Sequence, residues 1–99
     1  MPVEQPGVQE LDLVVGRVTS AESHRGARGP SALLHLDLGG RGEAQSPLPM
    51  RIDEAQELVG TQVICAVGAD EVTVLAVHGS EGVVPLHPAR EVDEGAPVA

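Results

Sequence analysis

Arginines are the residues of this chain whose type and spacing best suit a chemical task. Four of the six lie between positions 25 and 51, and lysine is absent. The four are Arg25, Arg28, Arg41 and Arg51. A guanidinium group offers a planar fork of N–H donors that fits phosphate or carboxylate oxygens. Two of these arginines share residues 24–30, whose glycines and proline are typical of a loop, so we expect that loop to present cationic groups at the surface.

The charge of the chain is unevenly distributed. The formal net charge is −9, yet residues 17–51 hold five arginines against three acidic residues, whereas residues 52–99 hold one arginine against nine. An acidic protein repels the nucleic-acid backbone at long range, so phosphate binding has to depend on the local arginine cluster. Binding of that kind is expected to be weak and to fall with salt concentration.

No residue pattern in the chain predicts catalysis or a metal centre. The histidines are His24, His35, His78 and His87, and they lack the spacing of zinc ligands. No pair of acidic residues has the context of a general acid and base, and no serine stands in a nucleophile elbow. We therefore expect neither an enzyme nor a cofactor. His35 alternates with leucines, which places it on the solvent face of a strand.

Two strands must hold the arginine-bearing loop. The valines around Gly16 predict a strand over residues 11–23, which the glycine would allow to bend. Leucines alternate with polar residues over 32–38, the pattern of a strand with one buried face. A poor edge strand is expected over 43–51, because its two prolines lack an amide donor.

The second half of the chain is predicted to form short strands and one short helix. Asp53 is a candidate N-cap and Gly60 a candidate stop for a helix over residues 53–60. Strands are predicted over 62–67 and 71–77, joined by a hairpin in which a positive φ at Gly68 is expected, and a last strand over 83–86 is expected to close the sheet.

These elements predict an all-β fold, a small five-stranded Greek-key barrel of OB type with one short helix. A small SH3-like barrel is the structural alternative. The core is expected to include Val14, Val18, Leu34, Leu36, Val63, Ile64 and Leu75. Cys65 lies in the apolar run 63–67 and is expected to be a buried, unreactive thiol.

Composition indicates one domain that benefits from a partner subunit. The 99 residues include no aromatic side chain, and aliphatic side chains alone bury less area per residue. Residues 1–10 predict a flexible arm ahead of a domain over 11–98. They lack the features of a signal peptide, and no apolar run approaches the about 20 residues of a membrane span, so a cytoplasmic protein without a membrane partner is expected.

Three groups of residues carry a resemblance to a known family. Residues 15–22 read V-G-x-V-x-x-A-E, and A-R-x-P and L-x-L-D-x-G follow over 27–30 and 34–39. Residues 57–64 read E-L-V-G-T-Q-V-I, and residues 83–95 end in P-x-R-E-V-x-x-G. The pattern covers about residues 11–98 and resembles the CsaA-type tRNA-binding domain family.

The resemblance implies an OB-fold homodimer that binds tRNA or another structured RNA. It places Arg25, Arg28, Arg41, Ser46 and Arg51 against phosphate and sugar. Two departures from the family pattern argue against RNA binding. The family's loop between the fourth and fifth strands shrinks to residues 68–70, and most of the family's basic residues are replaced. CsaA-type proteins are also associated with secretion chaperoning. The alternative is therefore a dimeric protein-interaction or chaperone-like module that has lost RNA binding and acts on client proteins.

Overall fold

Antiparallel strands make up most of the regular secondary structure. The computed structural model describes residues 12–26, 28–80 and 82–98, so the predicted arm over 1–10 lies outside the described residues. The strands are β1 (Asp12–Ser23), β2 (Ala32–Asp37), β3 (Glu43–Leu48), β4 (Gln62–Val67), β5 (Val72–Val74), β6 (Ala76–Gly79) and β7 (Gly82–Pro85). One short helix, α1 (Ile52–Gln56), lies between β3 and β4, and a 3₁₀ turn (Gly39–Arg41) joins β2 to β3.

Five of the strands form a nearly closed barrel. Their order is β3-β2-β1-β4-β5, with every neighbouring pair antiparallel. The two edge strands then lie beside each other, and the amide of Val74 on β5 donates to Oγ of Ser46 on β3 at 3.0 Å. This arrangement confirms the predicted all-β barrel of OB type with one short helix. Among the described residues, no helix is long and apolar enough to cross a membrane.

The length of β1 allows it to pair with two different strands. Its first half pairs with β4 and its second half with β2. The ladder with β2 shifts register between Val18 and Ser20, two to four residues after Gly16, where the sequence predicts a bend. Gly16 leaves room for neighbouring core side chains, because a Cβ added there would lie 2.8 Å from Leu38 Cδ2 and 3.1 Å from Cys65 Sγ. A side chain at this position would force Leu38 and Cys65 to shift within the core.

The core is aliphatic, as predicted, but two of its expected members lie outside it. Val14, Val18, Leu34, Leu36 and Val63 are buried, whereas Ile64 and Leu75 are only partly buried. Successive side chains of a strand point to opposite faces. Because Val63 and Cys65 point inward, Ile64 points outward. Cys65 is fully buried as expected, and burial raises the pKa of its thiol to about 11.

The predicted strand over 71–77 is in fact two strands. The chain leaves β4 at Leu75, whose amide donates to the carbonyl of Ile64 and whose carbonyl accepts from the amide of Leu86. After that point β6 pairs with β7 in a separate two-stranded sheet. The prediction that residues 83–86 close the main sheet was therefore wrong, because β5 already occupies the place beside β3.

Two local predictions in the second half were also wrong. The helix starts one residue earlier than expected, its N-cap position is Arg51, and no side chain caps it. Asp53 instead lies in the first turn, while Gly60 ends the following turns with a φ of 92°. Gly68 does not have a positive φ; its amide donates to the carbonyl of Glu71 at 2.7 Å, and this bond closes the hairpin without a left-handed residue.

Candidate nucleic-acid interface

Three of the predicted arginines lie at one end of the barrel. Arg25 and Arg28 are exposed in the β1–β2 loop, and Arg51 is exposed immediately before α1. The β2–β3 register pairs Ala32 with Leu48, which brings the end of that loop beside the end of β3 and hence close to Arg51. We call the surface formed by Arg25, Arg28 and Arg51 the arginine end.

An open groove of about 420 Å³ lies at the arginine end. It is lined by Ser23, His24, Gly29, Pro30, Ser31, Arg51, Ile52 and Asp53. The base of the loop is fixed, because the amide of His24 donates to the carbonyl of Ser31 at 3.0 Å and the two side chains are 3.1 Å apart. The Ser31 hydroxyl also donates to the carbonyl of Leu48 at 3.4 Å. The groove is therefore held between a tethered loop and the start of α1.

The arginines of this end differ in their partners. Within the described part of the chain, Arg25 and Arg28 have neither an ion pair nor a side-chain hydrogen bond. Arg51 pairs with Asp53 at 3.2 Å, with side chains that are 68% and 65% exposed. An ion pair this exposed contributes little stability, so Arg51 can exchange its partner at small cost.

Arg41 is not brought together with the other three. It lies at the opposite end of the β2–β3 ladder, where Asp37 pairs with Glu43, and five residues of extended strand span about 17 Å. Its guanidinium donates to Asp12 at 2.6 Å. The structure thus divides the predicted cluster into an arginine end and a separate Arg41–Asp12 pair.

Ser46 occupies a structural position instead of a surface one. Its side chain is fully buried, its Oγ accepts the hydrogen bond from the Val74 amide, and its hydroxyl donates to the carbonyl of Pro47 at 3.3 Å. The side chain therefore joins the two edge strands and presents nothing to a ligand. We accordingly leave Ser46 out of the candidate interface.

Replacing Ser46 by Ala should lower stability and leave RNA binding unchanged. The substitution leaves the buried Val74 amide without its acceptor, which costs about 1–3 kcal/mol. Urea unfolding of Ser46→Ala measures the loss, and Ser20→Ala, at an exposed position on β1, is the matched control. A variant with unchanged stability and weakened RNA binding would contradict this role.

The outer face of β1, β2 and β3 is acidic. Glu22, Asp37 and Glu43 lie on it together with Arg17, whose guanidinium donates to Glu91 and Glu94. His35, which faces outward as expected, is 2.9 Å from Glu22. This face repels a phosphate backbone, so a nucleic acid would meet attraction mainly at the arginine end. The described residues hold no group of three or more His, Cys, Asp or Glu placed to share a metal ion.

The motif near the C-terminus forms a strap, a role that the sequence did not reveal. We call residues 91–98 the C-terminal strap. Its backbone bonds to the stretch of β1 that β2 does not cover, with the amides of Gly95 and Val98 donating to the carbonyls of Val15 and Leu13. Glu91 and Glu94 of the strap accept hydrogen bonds from Arg17, and they raise the pKa of that guanidinium. Arg17 is thus committed to the strap.

An apolar stripe runs along the β6–β7 hairpin. Val77 and Val84 are cross-strand partners that are 54% and 57% exposed, and Leu86 follows at 40%. The stripe continues onto the partly buried Ile64 and Leu75, whose backbones bond to each other and to Leu86. Contiguous exposed apolar surface marks a site of protein association more often than isolated exposed residues do.

Solved structures with the same fold cover nearly the whole chain. The chaperone CsaA of Bacillus anthracis shares 28% identity over 97% of this chain and 100% of its own, with a TM-score of 0.78. The CsaA chaperone protein of Picrophilus torridus shares 24% identity over 92% and 94%, with a TM-score of 0.80. A MetRS-related protein of Pyrococcus horikoshii shares 22% identity over 98% and 100%, with a TM-score of 0.75.

The likeness is too distant to be detected by matching sequences. No protein-family model matches the chain, and no curated protein sequence matches it significantly. The barrel, the extent of the structural likeness and the shared identity with the Bacillus anthracis protein nevertheless agree with the motifs of the sequence. Together they support the assignment of this chain to the CsaA-type family.

Proposed function

We propose that this chain is a small RNA-binding module of the tRNA-binding type, which holds the RNA backbone at the arginine end. The observation that carries the proposal is the pair Arg25 and Arg28, exposed in one loop beside the Arg51 groove and without an ion-pair partner among the described residues. Arginine forks of this kind suit phosphate oxygens. The module acts by binding, without catalysis, in the cytoplasm.

The charge of the protein limits the strength of this binding. Three arginines give about three phosphate contacts and a slope of about −3 for the logarithm of affinity against the logarithm of salt concentration. The net charge of −9 opposes the approach of RNA, and the acidic outer sheet face adds a local repulsion. The complex should therefore be weak at physiological salt.

A titration of tRNA at two salt concentrations tests the proposal. Between about 50 and about 200 mM salt, a slope near −3 lowers the affinity about 60-fold. Anisotropy of labelled tRNA with the full-length wild-type protein measures both affinities. Binding that is absent even at the lower salt would overturn the RNA function.

We further propose that the module is a homodimer that buries the apolar stripe. The absence of aromatic residues leaves a small core, and small scaffolds often gain stability from association. A two-fold axis through the β6–β7 hairpin would place Val77 and Val84 against the same residues of a second copy, as an isologous interface requires. Pro85 on β7 lacks an amide donor, which disfavours the addition of an external strand and leaves face-to-face packing of side chains.

Val84→Asp should convert the dimer into a monomer. A charge in the centre of an apolar interface has no partner there and must be desolvated, which disfavours association by several kcal/mol. Sedimentation velocity at micromolar concentration measures the change, and Val59→Asp, at a 40% exposed valine in the turns after α1, is the control that stays dimeric. A wild-type protein that is already a stable monomer would contradict the proposal.

The apolar stripe also favours a second candidate function. On a monomer it would be open to apolar segments of other proteins, and two of the structural neighbours are described as CsaA chaperones. A chaperone-like module should suppress the light scattering of a heat-unfolded test protein, and Val84→Asp should abolish the suppression. This function replaces the first if the protein suppresses the light scattering but binds no tRNA.

A further inference from the structure

We propose that the groove at the arginine end holds a single unpaired nucleotide of the RNA, whose base is read by the Arg51–Asp53 pair. This inference rests on the proposed RNA-binding function and narrows its substrate to RNA that offers an unpaired base. Arg25 and Arg28 immediately adjoin two groove residues, His24 and Gly29, in the sequence. Backbone phosphates on either side of the nucleotide would meet these two arginines.

The size and lining of the groove suit one nucleotide. Its volume of about 420 Å³ lies within the range of sites for small molecules, about 300–1,000 Å³. Pro30 and Ile52 supply apolar surface for a base. The hydroxyl of Ser23 can donate to a ribose, and that of Ser31, which donates to the Leu48 carbonyl, can accept from one. A duplex would not enter, because its bases are stacked and only its backbone is presented.

The Arg51–Asp53 pair places donors and acceptors side by side. Both side chains line the groove and are mostly exposed, so neither is committed to the protein interior. The Watson–Crick edge of guanine carries one acceptor, O6, beside two N–H donors. In the structure Nε and Nη2 of Arg51 contact the two carboxylate oxygens of Asp53, each at 3.2 Å. When a base enters and this exposed pair opens, Arg51 can donate to O6 while both oxygens of Asp53 accept from the two N–H groups. Guanine alone among the four bases presents two adjacent donors to one carboxylate, so we expect it to be preferred.

The absence of Phe, Tyr and Trp makes hydrogen bonding the main source of selectivity. Many single-strand binding proteins gain affinity by stacking bases on aromatic rings, a contact that every base can make. This chain contains no Phe, Tyr or Trp, so a base here packs against aliphatic groups, a guanidinium plane and the small imidazole ring of His24. The affinity is therefore low and its dependence on base identity is comparatively large.

Three RNA probes and two matched variants test the inference at low salt. The probes are an oligoadenylate strand, the same strand with one central guanine, and a hairpin in which that guanine is paired. Fluorescence anisotropy with the full-length wild-type protein should show about tenfold tighter binding of the unpaired guanine than of either other probe, the range of one bidentate contact.

Asp53→Asn should change two quantities in opposite directions. Loss of one negative charge should tighten binding of the oligoadenylate strand, whereas the preference for guanine should fall to about twofold or less because an amide offers only one acceptor oxygen. Glu54→Gln removes the same charge from an exposed neighbour that does not line the groove. It should tighten binding of all probes and keep the preference.

Failure of the inference can be told apart from failure of the RNA function. Equal affinity for the three probes, or a guanine preference that survives Asp53→Asn, would overturn the nucleotide site while leaving the RNA function in place. If tRNA itself does not bind at low salt, both proposals fall.

Discussion

Gly95→Ala is expected to lower the free energy of unfolding by about 3 kcal/mol, a large part of the stability of a domain of this size. Gly95 has a φ of 87°, and a Cβ added there would lie 2.5 Å from the carbonyl oxygen of Leu38. The position is where the C-terminal strap crosses the turn after β2. From the other side of the crossing, a Cβ on Gly39 would collide with the backbone of Glu94. Neither backbone segment can therefore shift easily to make room for an added Cβ.

Urea unfolding of Gly95→Ala beside Gly60→Ala separates the two causes of this loss. Gly60 has a φ of 92° but no atom within 4 Å of an added Cβ, so its substitution carries only the backbone penalty of about 1–2 kcal/mol. Gly95→Ala should be clearly the more destabilising of the two. Equal losses would show that the strap shifts freely and does not hold β1 in place.

The double replacement of Arg25 and Arg28 by Ala should weaken tRNA binding about 100-fold, which at physiological salt means loss of detectable binding. Each arginine supplies a charge-assisted bond to phosphate worth about 1.5 kcal/mol or more, and about 1.4 kcal/mol changes an affinity tenfold. The slope of affinity against salt should also become shallower by about 2. Anisotropy titrations of labelled tRNA at several salt concentrations measure both changes.

Arg90→Ala is the matched control for this experiment. Arg90 is exposed, like the two loop arginines, but it lies in the acidic half of the chain, beside Glu91. Its loss changes the net charge by one unit and removes no contact of the arginine end, so affinity should change little. If Arg90→Ala weakened binding as much as the loop variant, the interface would not be at the arginine end.

The first half of the barrel could be predicted from the sequence because its pattern is local. Alternation of leucines with polar residues determines which face of β2 is buried, and the valines of β1 and the apolar run of β4 carry similar information. The loop between β1 and β2, which carries Arg25 and Arg28, could be predicted from its own glycines and proline. Its exposure was predicted for the same reason.

The other features of the fold and of the candidate site could not be predicted, because they depend on contacts between residues far apart in the chain. Ser46 reads as an exposed polar residue on an edge strand, and only the closure of β3 onto β5 makes it a buried acceptor. The groove brings Asp53 beside a loop some 25 residues earlier, a juxtaposition that no spacing in the sequence indicates. The strap likewise depends on where β2 leaves β1.

The most direct test of the arginine end is a map of the amide NMR shifts of the labelled protein as tRNA is added at low salt. We expect the shifted amides to cluster in residues 23–31 and 51–53, around Arg25, Arg28 and the groove. The acidic outer sheet face, including His35 and Gln45, should remain unshifted. Shifts that instead centre on that face or on the Arg41 turn would contradict the proposed interface.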